Sequence, residues 1–162
     1  MYKRILVPLE HSDYDHAIVE HVRRLAKFCG SSIVLMHVAD GWVARNVNQL
    51  QLRESEEMKL DREYLERTCD TFESDGLEAE CLLAGGDPSK EIAAAAAREE
   101  CDLIAMSTHG HRFIKDMIYG SVANEVRHIS RVPVLLVRGE RRSQPRGITP
   151  PSVTPPSGTP TP

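Results

Sequence analysis

The chain has 162 residues, which is enough for one domain with a hydrophobic core and too few for two domains of ordinary size. Hydrophobic residues make up 41% and charged residues 27% of it, as in ordinary globular proteins. The formal net charge of −4, with lysine and arginine scattered along the chain, argues against a nucleic-acid-binding protein, because such proteins carry basic surfaces that neutralise phosphates.

Neither the start of the chain nor its cysteines indicate export or a metal. The first apolar segment, residues 5–9, is too short for a signal peptide or a membrane span, so we predict a cytoplasmic protein that does not associate with membranes. The four cysteines, at positions 29, 69, 81 and 101, include no C-x-x-C pair. They indicate neither a zinc site nor a disulfide framework, and we expect reduced thiols that are buried or half-buried.

The first elements are a strand and an amphipathic helix. Ile5-Leu6-Val7 is a short branched apolar run that predicts a central strand buried on both faces, and Pro8 ends it. Ser12 is the predicted N-cap of the helix, with Asp15 completing an approximate capping box. Gly30 is expected to end the helix as its C′ residue.

A second strand is predicted over residues 32–38, which creates a βαβ unit and therefore a parallel sheet. Residues 52–74 are highly charged and predict a long surface helix, whose charges are most simply interpreted as a solvated face. Residues 77–84 alternate enough to predict a strand near the edge of the sheet. One face of the long helix is apolar and carries Met58, Leu65, Cys69 and Phe72.

The remaining elements continue the alternation. Asp87 and Pro88 are the predicted N-cap and first residue of an alanine-rich helix. A strand over 101–106, a helix over 122–129 and a strand over 132–137 follow. The pattern predicts one α/β domain over residues 1–139, Rossmann-like, with an open parallel five-stranded sheet and helices on both faces. Residues 140–162 are rich in Pro, Ser and Thr and are predicted to be a disordered tail.

A phosphate site is indicated by Ser107-Thr108-His109-Gly110 and by Gly120-Ser121 at the start of a predicted helix. A helix N-terminus offers unpaired N–H groups, and glycine lets the backbone approach an anion closely. Ligands of open α/β sheets bind at the carboxyl ends of the strands. There, Glu10 could accept hydrogen bonds from a ribose, and Val38 and Asp40 could offer backbone groups to a base. Glycine turns and N-cap serines also serve purely structural purposes in such loops.

Other kinds of site fit the sequence less well. His109 and His111 form an H-x-H pair, but no further ligands stand at metal-binding spacing, so we favour polar loop residues over a metal centre. Ser12, with its neighbours His11 and Asp13, lacks a G-x-S-x-G elbow, so a serine hydrolase site is not predicted. A P-loop is not predicted either, because no G-K-[ST] follows the glycines and no lysine is placed to reach a phosphate. Binding is therefore better supported than turnover, and we predict no catalytic residues.

Three segments resemble the universal stress protein family, in particular its nucleotide-binding members. They are ILVPLEHS from residue 5, VLMHVAD from residue 34, and residues 106–138. The nucleotide-binding members carry G-x-x-G, nine residues, then G-[S/T], and this chain has Gly110, nine residues, and Gly120-Ser121. Ser107 stands at the first glycine of that pattern, and Glu10 stands where family members often have Asp.

The resemblance implies strand order 3-2-1-4-5 and a homodimer through the final edge strand, residues 132–137. That strand is short and apolar, and an unpaired apolar edge is a liability. The resemblance also implies ATP or a related nucleotide (ADP or AMP), with Mg²⁺ or Mn²⁺ held by the phosphates, in a regulatory or stress-response role. Two alternatives stay open, a homodimeric interaction module without nucleotide and a slow ATP hydrolase. The residues expected to bind the nucleotide are Pro8, Leu9, Glu10, Val38, Ser107, His109, Gly110, Gly120, Ser121 and Val122.

Overall fold

The computed structural model describes residues 1–40, 56–108 and 121–138. Within these ranges five strands alternate with four helices. None of these four helices is both long enough and apolar enough to cross a lipid bilayer. In chain order the elements are β1 (Arg4–Pro8), α1 (Asp15–Cys29), β2 (Ser32–Asp40), α2 (Glu56–Glu73), β3 (Ala79–Gly86), α3 (Pro88–Arg98), β4 (Leu103–Ser107), α4 (Ser121–Ile129) and β5 (Val134–Val137).

All five strands form one parallel sheet in the order β3-β2-β1-β4-β5. Leu6 in the central strand β1 stands beside Val34 of β2 on one side and Ile104 of β4 on the other. The predicted fold class and the strand order implied by the family resemblance are both confirmed. The apolar runs of β1 and β4 are explained by this position, because helices cover both of their faces.

Alternate residues of the strands point into two separate cores. Ile5 and Val7 belong to the first core, which lies beneath α1 and α2. Leu6 belongs to the second core, which lies beneath α3 and α4. The two-residue side-chain period of a strand therefore divides one apolar run between the two faces of the sheet.

Gly30 and Asp87 lie at the helix boundaries that the sequence predicted for them, whereas Ser12 does not. Gly30 has φ = 69° after α1, and the Asp87 side chain accepts a hydrogen bond from the Lys90 amide at the start of α3. Ser12 is not the N-cap, because α1 begins at Asp15 with Tyr14 before it. The Asp15 carboxylate still bonds the Ser12 amide as in a capping box, but the intervening residues form a turn instead of helix.

Several strand boundaries move relative to the sequence prediction. Gly85 and Gly86, which follow the strand predicted over residues 77–84, extend β3 because they pair with Ala39 and Asp40 of β2. β5 begins at Val134, two residues later than predicted. Several predicted features lie outside the described residues. They are the start of the long helix at residue 52, the tail over 140–162, and His109, Gly110, His111 and Gly120.

The prediction of four reduced cysteines is wrong for one pair. Cys69 of α2 and Cys81 of β3 are joined as a disulfide, with their Cα atoms 6.7 Å apart. Helix α2 lies over β3, and this packing brings together two residues separated by 12 positions in the sequence. Cys29 and Cys101 are free thiols.

Candidate functional site

The carboxyl ends of β1 and β4 define a topological switch point. The two strands are neighbours in the sheet, but β1 leads into α1 over one core and β4 is followed by α4 over the other. The helices that follow the two strands therefore lie on opposite faces of the sheet. In open α/β sheets this divergence opens a crevice, and ligands bind in it.

The β1–α1 loop, residues 9–14, is held by the buried carboxylate of Asp15, which is only 2% exposed. This carboxylate accepts hydrogen bonds from the Glu10 amide at 3.3 Å and from the Ser12 amide at 3.0 Å. It also accepts one from the Tyr64 hydroxyl of α2 at 2.9 Å. One side chain thus satisfies two loop amides and ties the loop to α2.

A second buried carboxylate, Asp61 of α2, bridges two histidines. Its Oδ1 lies 2.7 Å from His11 Nδ1, and its Oδ2 lies 3.3 Å from His37 Nε2. His37 Nδ1 lies 2.9 Å from the carbonyl oxygen of Leu9, which can only accept, so this nitrogen must carry a proton.

The loop conformation depends on these contacts. His11 has φ = 57°, a left-handed conformation that non-glycine residues adopt infrequently. Its ring stacks on that of Tyr64, with centroids 4.3 Å apart. Leu9 is also fixed, because its amide donates to the Met36 carbonyl at 2.8 Å. Strand β2 and helix α2 together hold the loop in place at the switch point.

Burial is the main reason why the pKa of Tyr64 lies well above that of an ordinary tyrosine, and the charge of the neighbouring Asp15 carboxylate raises this pKa further. The phenol ionises more readily in the unfolded chain, where it is solvated. Its contribution to stability is therefore complete below the ordinary pKa of about 10 and is lost as the pH rises above it.

We expect Tyr64→Phe to destabilise the protein by about 1–2 kcal/mol at neutral pH, because the Asp15 carboxylate loses a donor. The difference from the unsubstituted protein should stay constant up to about pH 9 and shrink above about pH 10. Urea unfolding curves across this pH range measure it. A difference that did not change with pH would contradict the raised pKa.

The structure places the described candidate residues along this edge. Pro8 ends β1, Ser107 ends β4, and Val38 lies near the end of β2 with its side chain against the second core. Glu10 is exposed just beyond β1, whereas Leu9 is buried at 3% exposure. At the start of α4, Ser121 is exposed and Val122 packs on the second core. His109, Gly110 and Gly120 are not among the described residues.

The sequence prediction missed Asp61, Tyr64 and His37. Asp61 was assigned to a solvated face, which is wrong, since it is 8% exposed. One signal was available, because Asp61 lies three residues after Met58 and four before Leu65, within the apolar stripe of the helix. An ionisable residue in such a stripe indicates a buried polar partner.

Metal ligands do not cluster in the part of the chain that the structure describes. Across residues 1–40, 56–108 and 121–138, no group of three or more His, Cys, Asp or Glu side chains is placed to hold a metal ion. His11 and His37 both face Asp61, and His37 is also bonded to Leu9. Their geometry here is that of a hydrogen-bonded support for the loop.

The sheet order and the crevice define an open parallel α/β protein with its candidate site at the switch between β1 and β4. The family model of the universal stress protein family matches residues 1–138. The chain therefore belongs to the universal stress protein family, as its sequence motifs predicted.

Individual relatives agree with this assignment. Universal stress protein MJ0577 of Methanocaldococcus jannaschii is 28% identical over 158 residues, covering 85% of this chain and 96% of that protein. The solved structure of MJ0577 matches with a TM-score of 0.72, covering 86% of this chain and 98% of the other. Universal stress protein YxiE of Bacillus subtilis is 27% identical over 148 residues, covering 85% of this chain and all of that protein.

Two further solved structures contain nucleotides. The universal stress protein from Archaeoglobus fulgidus in complex with dAMP matches with a TM-score of 0.63 at 21% identity, covering 85% of this chain and 98% of the other. A universal stress protein in complex with cAMP matches with a TM-score of 0.63 at 19% identity, covering 85% and 97%. At these identities the likeness establishes the shared fold.

Proposed function

We propose that this chain binds ATP or a related adenine nucleotide, ADP or AMP, in the crevice between β1 and β4 and acts as a regulatory or stress-response protein. The observation that carries the proposal is the fixed β1–α1 loop, which presents the exposed Glu10 at the switch point. The dAMP and cAMP complexes of proteins with the same fold support an adenine nucleotide as the ligand.

In the proposed complex, Glu10 accepts hydrogen bonds from the ribose hydroxyls. Its backbone amide is held by Asp15, so the start of the side chain is fixed, and the residue is exposed. Pro8 and Leu9 form the wall of the pocket behind it. Val38, near the carboxyl end of β2, offers its backbone to the adenine edge. The contribution of Leu9 would come from its position, because its amide and its carbonyl already have partners.

The phosphates are proposed to lie between Ser107 and the start of α4. The amides of Ser121 and Val122 belong to the first turn of this helix, where N–H groups lack partners within the helix. His109, Gly110 and Gly120 complete the proposed phosphate loop. The Ser107 hydroxyl can donate to a phosphate oxygen in place of the backbone approach that glycine allows. Mg²⁺ or Mn²⁺ would be held mainly by the phosphates and water.

The edge position of β5 supports the proposed homodimer. Among the described strands β5 pairs only with β4, and its residues are all half-buried within a single chain. A second copy paired along β5 would cover this edge and satisfy its outward backbone groups. The cytoplasmic location of the protein stays a prediction.

Isothermal titration with ATP, ADP, AMP and GTP tests the proposed function. We expect at least one adenine nucleotide to bind with a submillimolar dissociation constant. The sample must be folded and free of co-purified nucleotide. Absence of heat with all four nucleotides would overturn the proposal and favour the alternative of a homodimeric interaction module without nucleotide. Release of inorganic phosphate from ATP would instead support slow hydrolysis.

A matched pair of variants tests the role assigned to Glu10. We expect Glu10→Gln to weaken adenine-nucleotide binding about tenfold, because an amide oxygen accepts from a ribose hydroxyl less strongly than a carboxylate does. Glu78→Gln also removes one carboxylate charge. Glu78 is exposed just before β3, at the amino ends of the strands and away from the proposed site, so this variant should leave the affinity unchanged. Equal affinities for the two variants would remove Glu10 from the site.

A further inference from the structure

The disulfide between Cys69 and Cys81 ties the outermost helix of one face to an edge strand. β3 pairs only with β2 among the described strands, and α2 lies over both of them. The covalent link closes a segment that leaves α2, turns at Gly76 with φ = 75° and enters β3. The apolar contacts of α2 with the first core come mainly from Leu65, Cys69 and Phe72, since much of its remaining surface is charged and exposed.

The two cysteines differ in exposure. Cys69 is 6% exposed and belongs to the first core, whereas Cys81 is an exposed residue of the edge strand β3. A thiolate arriving from solvent can therefore attack the sulfur of Cys81, and the sulfur of Cys69 leaves toward the core. This asymmetry favours reversible exchange, because attack depends on access to one of the two sulfurs.

The remaining thiols are poorly placed for the same chemistry. Cys101 is buried, and burial raises its pKa to about 11, so at neutral pH it stays a weakly nucleophilic thiol. Cys29 is half-buried on α1 and has no disulfide partner within the described residues. Exchange at the Cys69–Cys81 pair is therefore selective.

We propose that Cys69 and Cys81 form a reversible dithiol–disulfide site that exchanges with low-molecular-weight thiols such as glutathione and sets how firmly α2 holds the β1–α1 loop. In the reducing direction a glutathione thiolate attacks Cys81, forming a mixed disulfide, and the Cys69 thiolate takes up a proton. A second glutathione attacks the mixed disulfide at the glutathione sulfur, which releases the Cys81 thiolate and oxidised glutathione. The reverse steps form the protein disulfide and reduce oxidised glutathione.

Helix α2 connects this pair to the candidate site. Tyr64 lies five residues before Cys69, about 7.5 Å along the helix, and Asp61 lies almost one turn further. These two side chains hold Asp15 and His11 of the loop that presents Glu10. When the disulfide is reduced, α2 keeps only its non-covalent contacts with β3, and the loop is held less firmly. A consequence for nucleotide affinity rests on the proposed function.

Differential alkylation with mass spectrometry tests the exchange. The full chain is equilibrated with mixtures of reduced and oxidised glutathione, quenched in acid and digested. We expect Cys69 and Cys81 to be found linked, at a mass two hydrogen atoms lower than that of the two free thiols. The linked fraction should rise with oxidised glutathione and fall with reduced glutathione. Cys81→Ser should abolish it, and Cys29→Ser should preserve it. A pair that is never linked, or that reduced glutathione never opens in the folded protein, would overturn the proposal.

Amide hydrogen exchange tests the connection to the loop without nucleotide. On reduction we expect the Glu10 and Ser12 amides to exchange about tenfold faster, and Cys81→Ser should match the reduced protein. Equal exchange in both redox states would overturn the connection. Nucleotide titration of both states is a separate readout. Binding in neither state would overturn the proposed function alone, whereas equal, measurable affinities would overturn control of that function by the disulfide.

Discussion

Replacing Asp15 with alanine is expected to lower the free energy of unfolding by about 3 kcal/mol. The carboxylate is almost completely buried and accepts bonds from the Glu10 amide, the Ser12 amide and the Tyr64 hydroxyl. Alanine leaves all three donors without this acceptor. The cost of unsatisfied buried donors exceeds the modest net gain of an ordinary hydrogen bond, which makes the expected effect large.

Urea unfolding measures this loss, and Asp13→Ala is the matched control. Asp13 lies in the same loop but is exposed, so its replacement should change stability by less than about 0.5 kcal/mol. The Asp15→Ala variant should also bind adenine nucleotide more weakly if the proposed function is correct. Equal stabilities of the two variants would show that Asp15 does not hold the loop.

The second large effect is expected for Phe72→Ala, at about 3–5 kcal/mol of destabilisation. Phe72 is 0% exposed, lies in the core between α2 and the sheet, and has the Arg23 guanidinium carbon 5.3 Å from its ring centroid. Alanine removes the transfer free energy of the ring and leaves a cavity that the surrounding core fills only in part.

Phe28→Ala is the control for Phe72, because the same substitution is made at a side chain that is 85% exposed. We expect it to change the free energy of unfolding by less than about 0.5 kcal/mol. Unfolding by urea with unchanged m-values compares the two variants directly. A loss below about 1 kcal/mol for Phe72→Ala would mean that α2 contributes little to the fold.

The candidate site was only partly predictable. Glu10, Val38, Ser107 and Ser121 were predicted as site residues because polar or glycine-rich residues follow apolar strands, a pattern visible in the sequence. Their roles in binding stay predictions. The structure adds the buried side chains that hold the β1–α1 loop, which contains Glu10. Asp61 could not be paired with His11 and His37 from spacing alone, because the partners are 50 and 24 residues away along the chain.

The sequence by itself determined the local elements of this protein. The period-two and period-3.6 apolar patterns specified the five strands and four helices of the described residues, Gly30 ended α1, and Asp87 with Pro88 began α3. These features depend on backbone geometry and on contacts between near neighbours, so a short stretch of residues is sufficient to encode them. The exact start of α1 needed more, because the Asp15 carboxylate also has a distant partner in Tyr64.

Only the tertiary structure decided which distant side chains meet. The rotation of α2 against the sheet places Asp61 beside His11 and His37 and places Cys69 beside Cys81. That rotation follows from how Leu65 and Phe72 pack into the first core with the strands beneath them. Packing of this kind is a property of the whole assembly of elements, and residue spacing within one helix does not specify it.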